Sequence, residues 1–343
     1  MRLRGLAVLL AAALLPGADR PPRVEQLRAT GALPAHIAGR FRQVLGFEQT
    51  DAGVYYVFDR RAHTIYTVAP GADAPQQLLS LGAEPGRVLD PSAFDLDPAD
   101  GSFVVADAPG SRQRLQTFTS TLGQLGAFLL PGQSVPRVTL GPFVLNGIGS
   151  LQYTGSSILL NQPETGSLVI EYHFDGSIVK TFGQLRATGQ EADRDVHLAL
   201  NVGLPLVDPT GGYVFVFQSG APLFRKYDAR GQLVFERHIE GTELDDYLRT
   251  LPTTWPRRRT DQGDVIPLVP PAVRTAAVDR SGRVWVSLTS GYTYVYDAAG
   301  DRIHVVQFRG ATGAIAPDSL FFTRDGRVLV TPGCYEFAVP KDW

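Results

Sequence analysis

The sequence predicts an all-β fold, a six-bladed β-propeller with four antiparallel strands per blade, and three observations predict it. Alternating apolar runs recur six times, at 54–58, 102–106, 157–161, 213–217, 284–288 and 328–331. Each follows a turn holding Gly53, Gly101, Gly155, Gly212, Gly282 or Gly326, because a tight hairpin needs a positive φ that glycine takes without steric cost. These glycines are 48, 54, 57, 70 and 44 residues apart. Periods near 50 with several strands per unit mark propeller blades, whereas sandwiches turn every ~8–12 residues with no higher repeat.

The chain begins with Arg2 and Arg4, the apolar run 6–15 and then Pro16-Gly17-Ala18, the pattern of a signal peptide over 1–18 cleaved after Ala18. That run is about half of the ~20 residues a spanning helix needs, and no other segment is apolar enough, so no membrane span is predicted. The mature protein is expected to be secreted or periplasmic and monomeric. The body of the propeller is expected over 41–343. Its first unit, 41–81, reads as complete, but the last, 319–339, holds only three clear strands. The N-terminal segment 19–40, with a strand over 24–30, is therefore expected to supply the missing edge of the last blade.

A second hairpin follows the first within each unit, at Gly123, Gly176, Gly231 and Gly300. The second unit thus reads as strands 93–97, 102–107, 114–119 and 124–130, and the fifth as 275–279, 283–288, 292–297 and 302–308. Closing such units in a ring leaves only short outer edges open to unwanted pairing.

The repeat breaks most clearly in the 70-residue spacing, which inserts 241–271 between the fourth and fifth units. Loops longer than ~15 residues in compact domains are usually functional or disordered. This one carries a short helix over 244–251 and the run Trp255-Pro256-Arg257-Arg258-Arg259. A tryptophan supplies an anchor, and arginines supply forks for carboxylate or phosphate. The connection one unit earlier, 186–197, carries Glu191, Asp193, Arg194, Asp195 and His197. Both connections are expected on one face as neighbours, where their opposite charges either pair structurally or recognise a ligand. His63, Arg112, Asn161 and Arg274 are expected at that face too, beside Asp59, Arg61, Asp107, Glu164 and Gln218. The candidate binding set is therefore Trp255, Arg257, Arg258, Arg259, Asp195, His197, His63, Arg112, Asn161 and Arg274.

Composition narrows the chemistry. A net charge of -2 gives no broad field for nucleic acid. Cys334 is the only cysteine, so no disulfide forms within the chain, and it reads as a small buried hydrophobe. The six histidines show no helical zinc spacing, and 95–101 lacks the alternating ligands of a calcium loop. No nucleophile elbow, Walker loop or dinucleotide fingerprint occurs. No cofactor and no resident metal are predicted.

The stretch Phe94-Asp95-Leu96-Asp97-Pro98-Ala99-Asp100-Gly101-Ser102-Phe103-Val104-Val105-Ala106-Asp107, followed by 114–118, resembles an NHL-type blade, as does Ala277-Val278-Asp279-Arg280-Ser281-Gly282-Arg283-Val284-Trp285-Val286. The likeness covers most of 41–339 and specifies a blade, not an activity. It implies a group of propellers that holds protein-binding modules, lactonases and a lyase that cleaves hydroxyglycine peptides. Two expectations follow. The first is a scaffold that binds a protein, peptide or small ligand on the long-loop face. The alternative is a lactonase- or lyase-like enzyme at the mouth of the axial channel, with a divalent ion such as calcium or zinc.

Overall fold

The computed structural model describes residues 24–110, 112–130, 136–140, 143–146, 150–259, 263, 265–341 and 343, with the backbone alone for 136–140 and 143–146. The expected signal peptide over 1–18 and residues 260–262 and 264 of the long loop lie outside the described residues.

Four sheets are four-stranded antiparallel meanders. The first is Val44–Gln49, Tyr55–Asp59, Thr64–Val68 and Gln76–Gln77; the second is Ala93–Leu96, Phe103–Asp107, Arg114–Phe118 and Gln124–Leu129. The third is Leu151–Tyr153, Ile158–Asn161, Ser167–Tyr172 and Ile178–Gln184, and the fourth Gly203–Val207, Tyr213–Phe217, Leu223–Tyr227 and Leu233–His238. The next repeat supplies Val273–Val278, Val284–Leu288, Thr293–Tyr296 and Arg302–Gly310, and the last supplies Ser319–Phe322, Arg327–Thr331 and Tyr335–Ala338. These last two do not stand apart as the sequence suggested, because strand Val24–Ala32 joins them, together with the short strand Gly313–Ile315 paired to Arg302–Gly310, into one nine-stranded sheet. Its first half runs parallel to Arg302–Gly310, with Leu27 opposite Phe308. Its second half runs antiparallel to Tyr335–Ala338, with Ala29 opposite Phe337. A nine-residue strand is ~30 Å long, enough to serve two partners in series; the partner changes between Arg28 and Ala29, and a register shift follows between Ala29 and Gly31 within the second ladder.

The first strands of the repeats touch one another in chain order, and Ser319–Phe322 touches Val44–Gln49, which closes the circle. Apolar clusters fill the gaps between successive sheets. Phe58 meets Phe94 and Phe103; Leu115 meets Leu160 and Ile170; Leu159 meets Phe215; Phe224 meets Val286 and Tyr296. Trp285 and Phe308 meet Val330 and Phe337, and Leu329 meets Phe47 and Val57. The all-β, propeller-like ring is held by inter-sheet layers of branched and aromatic side chains.

The first hairpins gather at one end of the ring. Asp51 N–H donates to Pro98 O at 2.7 Å, and Arg324 pairs with Asp51 at 3.1 Å. Gly101 shows why the turn needs glycine: its φ is 75°, and a Cβ there meets Ser120 Cβ at 3.1 Å and Tyr56 Oη at 3.2 Å. In the second hairpin of the second sheet the left-handed residue is Leu122, with φ 67°, and not Gly123.

The opposite end carries the links between sheets. Here the 241–271 segment folds as a short helix, Asp245–Arg249, and a hairpin, Arg257–Arg259 with Val265–Pro267. Helix Arg194–Leu200 touches that hairpin and a second one, Pro136–Leu140 with Phe143–Asn146. No helix among the described residues is long and apolar enough to cross a membrane.

Candidate functional site

The first strand of each repeat turns alternate side chains toward the axis, and these enclose a cavity of about 880 Å³. Its wall is uneven. The fourth sheet contributes only Leu204, Pro205, Leu206 and Val207 from its first strand, with no charge, whereas the first three sheets contribute Glu48, Asp95 and Gln152.

Glu48 sits near the end of Val44–Gln49, is 7% exposed, and its Oε2 has no hydrogen-bond partner among the described residues. Asp95 lies on Ala93–Leu96, deep among protein atoms yet opening onto the cavity. Its Oδ2 accepts from Tyr153 N–H at 2.5 Å and from Gln152 Nε2 at 2.6 Å. Burial pushes the Asp95 carboxyl up to about 7, against the downward pull of the Tyr153, Leu96 and Gln152 donors and with a further rise from Asp97. Burial, and then the charge of Asp95, holds Glu48 well above the usual carboxylate range. Burial of both carboxyls, with the charge of one raising the other, opposes ionising the two together.

At the link end of the cavity Arg274 forms an ion pair with Asp318. The Arg274 Nε has no hydrogen-bond partner. Among the described residues no three His, Cys, Asp or Glu side chains converge as a metal-binding group.

The raised carboxyls make stability depend on pH. Both groups hold protons more tightly folded than unfolded, so they cost nothing below the unfolded value near ~4, and their penalty grows as pH rises toward the folded value. Glu48→Gln removes one of these charges. Its melting temperature should exceed that of the parent at pH 8 and match it at pH 4, measured by thermal denaturation; a variant less stable than the parent at pH 8 contradicts the burial argument.

The residues singled out from sequence fall in several places. Trp255 is 8% exposed and packs with Val196, Ala199, Leu200 and Val269, so its ring fastens the long loop to helix Arg194–Leu200 instead of facing solvent. Arg257 forks onto Asp193 at 2.6 and 2.7 Å and reaches Asp195 at 3.4 Å. Arg258 and Arg259 stay exposed on their strand. His197 lies in the helix with Nδ1 at 2.8 Å from Thr188 Oγ1. The structure thus joins Trp255, Arg257, Asp195 and His197 in one cap over the link end.

His63, with φ 53°, accepts the Asp90 N–H on Nδ1 at 3.0 Å, which bridges the first and second sheets. Arg112 is exposed in the connection between Phe103–Asp107 and Arg114–Phe118. Asn161 is buried and tied to backbone: Nδ2 donates to Leu168 O at 2.8 Å, and Oδ1 accepts Gly203 N–H at 3.2 Å. Of the ten candidates, Arg274 alone lines the axial cavity. Cys334 is buried against Phe47 and Val57, and burial, with Asp59 adding to it, pushes its thiol up to about 12.

Sequence reasoning passed over Glu48, Gln152 and Asp318 and read Asp95 only as part of a turn. A signal was there: a charged or amide residue interrupts the first strand of three consecutive repeats, 5, 6 and 3 residues before Gly53, Gly101 and Gly155. An inner strand is otherwise apolar or small, so a polar residue at an axis-facing position points into the channel.

No family model and no curated protein matches the chain. Among solved structures it is similar to a streptogramin B lyase, at 13% identity and TM-score 0.47, over 89% of this chain and 94% of that one. It is also similar to virginiamycin B lyase from Staphylococcus aureus, at 10% identity and TM-score 0.46, over 87% and 84%. A protein of unknown function from Bacteroides caccae follows at 11% identity and TM-score 0.44, over 77% and 81%.

Proposed function

We propose that this chain is an exported, six-bladed propeller of the NHL type that takes a small, partly apolar ligand in its axial channel, with Glu48 and Asp95 as the polar contact. The blade count is supported by the closed order of contacts among the first strands, with the nine-stranded sheet taken as two blades bridged by Val24–Ala32. Export is supported by the basic and apolar pattern of 1–18.

One observation carries the ligand reading: Glu48, a 7% exposed residue whose carboxyl keeps one oxygen without a partner among the described residues, lines a cavity of about 880 Å³. Leaving a buried polar atom unsatisfied costs ~1–3 kcal/mol, more for a charge, and such atoms persist where a binding role demands them. Cavities of ~300–1,000 Å³ with an apolar wall and a few converging polar groups are the usual form of small-molecule sites. The cap built by Trp255 and Arg257 is then scaffolding at the link end.

An acid–base enzyme using the same channel is the second reading, favoured by Asp95 titrating at about 7. A general acid or base works best when its pKa lies near the operating pH. This reading draws on the carboxyl pair and not on a calcium or zinc ion.

Ligand-observed nuclear magnetic resonance with a panel of small aryl and alkyl alcohols, amides and amines tests the channel. Thr275 lines the cavity on Val273–Val278, and Thr275→Trp pushes an indole into it. Members of the panel should bind the parent and bind Thr275→Trp more weakly. Affinities unchanged in Thr275→Trp refute the site.

A further inference from the structure

We propose that the channel selects an organic ammonium ion with an apolar body, its nitrogen held by Glu48 and Asp95 and its body laid against the uncharged wall of the fourth sheet. The inference rests on the channel reading above and names its ligand class.

An ionised carboxylate is acceptor-only; the Glu48 carboxyl takes the Leu96 N–H, and its Oε2 accepts nothing from the described residues. Asp95 takes its donors from Gln152 and Tyr153 on the neighbouring sheet, which fix its orientation but bring no positive charge. An ammonium ion supplies three donors and one charge in the space of a single atom.

The charges around the pair point the same way. Asp97 stands two residues beyond Asp95 and adds negative charge, and Asp100 is spent on the Ser102 N–H at 2.8 Å. The Tyr153 hydroxyl is 3.1 Å from Ser102 Oγ. Arg327, on the sheet behind Glu48, is bound to Gln49, Asp325 and Glu336. Of the arginines that line the cavity, Arg274 is held by Asp318, Arg60 faces Asp90, and Arg280 is exposed at the hairpin end. The middle of the channel is therefore short of cations.

The rest of the wall decides the body. Leu204, Pro205 and Leu206 come from a first strand with no charged residue, and Leu320 adds apolar wall from the last repeat. A small inorganic cation gains nothing from such a wall. An amphiphilic amine buries its carbon skeleton there while its nitrogen reaches the carboxyls.

The test is isothermal titration calorimetry of the full chain with 2-phenylethylammonium, 2-phenylethanol and 3-phenylpropanoate, which share a body and differ in head group. At pH 8 the ammonium ion should bind about tenfold or more tighter than the alcohol, and the carboxylate weakest, as expected for a partly desolvated charge pair. At pH 5 the ammonium ion keeps its charge while the carboxyls gain protons, so its advantage should shrink several-fold. The double variant Glu48→Gln/Asp95→Asn keeps both shapes and should bring the affinity for the ammonium ion down to that for the alcohol.

An alcohol or carboxylate that binds as tightly as the ammonium ion overturns the ligand class, as does a preference that survives in the double variant; both outcomes leave the channel as a site. If none of the three binds and Thr275→Trp leaves the wider panel unaffected, the channel reading falls with it. Circular dichroism of each variant separates lost binding from lost fold.

Discussion

Removing residues 24–32 should lower the melting temperature by roughly 10 °C or more, the largest effect expected of any short excision in this protein. The reason is the double service of that strand. It pairs with Arg302–Gly310 through one half and with Tyr335–Ala338 through the other, so its loss bares two edges at once. Leu27 is 7% exposed in the cluster that holds Trp285, Phe308 and Phe337, and emptying such a position alone costs ~2–5 kcal/mol. His304 adds to the seam: its Nδ1 lies 2.6 Å from Glu25 Oε1, and its ring stacks on Trp343 at 4.0 Å.

The measurement is a thermal melt of the shortened chain, repeated with a synthetic peptide of residues 24–32. Strand addition to an open edge is a recognised mode of peptide binding, so the peptide should restore much of the loss in a concentration-dependent way. An unchanged midpoint, or no response to the peptide, means that the strand is an ornament on a ring already closed.

What the sequence made legible follows the reach of each kind of signal. The recurrent strands were readable because alternation and a following turn are local: the run expected at 213–217 is strand Tyr213–Phe217, and 284–288 is Val284–Leu288. The hairpin glycines were readable because positive φ is a property of one residue, and Gly53, Gly212 and Gly282 have φ of 85°, 91° and 78°. The merging of the last two repeats was not readable, since it depends on a strand 278 positions away from its partner pairing on both of its sides: Leu27 faces Phe308 at one end and Ala29 faces Phe337 at the other. The hairpin over 136–146 was also missed, because the spacing that contains it stays close to the ordinary repeat.

The site was less legible than the fold for the same reason. Trp255 and the arginine run stood out as a break in the repeat, yet a break shows only that something was added. Here Trp255 and Arg257 are spent on packing and ion pairing within the cap. Glu48, Asp95 and Gln152 were hidden because each is a single polar residue inside a regular strand. Only the ring brings the three strands that carry them side by side.

The last residues of two second strands tie that ring to its links, and Asp107→Ala should be the most damaging single substitution among them. Asp107 is fully buried; it accepts Arg114 Nε at 2.9 Å and Nη2 at 2.6 Å, and the Leu89 N–H at 2.9 Å. Arg114 continues outward to Ala83 O at 2.6 Å and Arg87 O at 2.9 Å. The pair thus pins the link that leads into Ala93–Leu96, the strand that carries Asp95. Asp59 does the same one sheet earlier, accepting the N–H groups of Arg42 and Gln43 just before the strand that carries Glu48.

Breaking a buried pair by removing one partner leaves the other charge without compensation and costs ~3–5 kcal/mol, whereas replacing both with apolar groups is often nearly neutral. Asp107→Ala should therefore destabilise by about 4 kcal/mol, and Asp107→Leu/Arg114→Met should recover a good part of that in chemical denaturation. Asp107→Asn should fall between, since an amide still accepts from Leu89 but lacks the charge that Arg114 needs. A double variant as unstable as Asp107→Ala shifts the weight from the ion pair to the link itself, because then the hydrogen bonds to Ala83, Arg87 and Leu89 carry the stability that the charges were expected to carry.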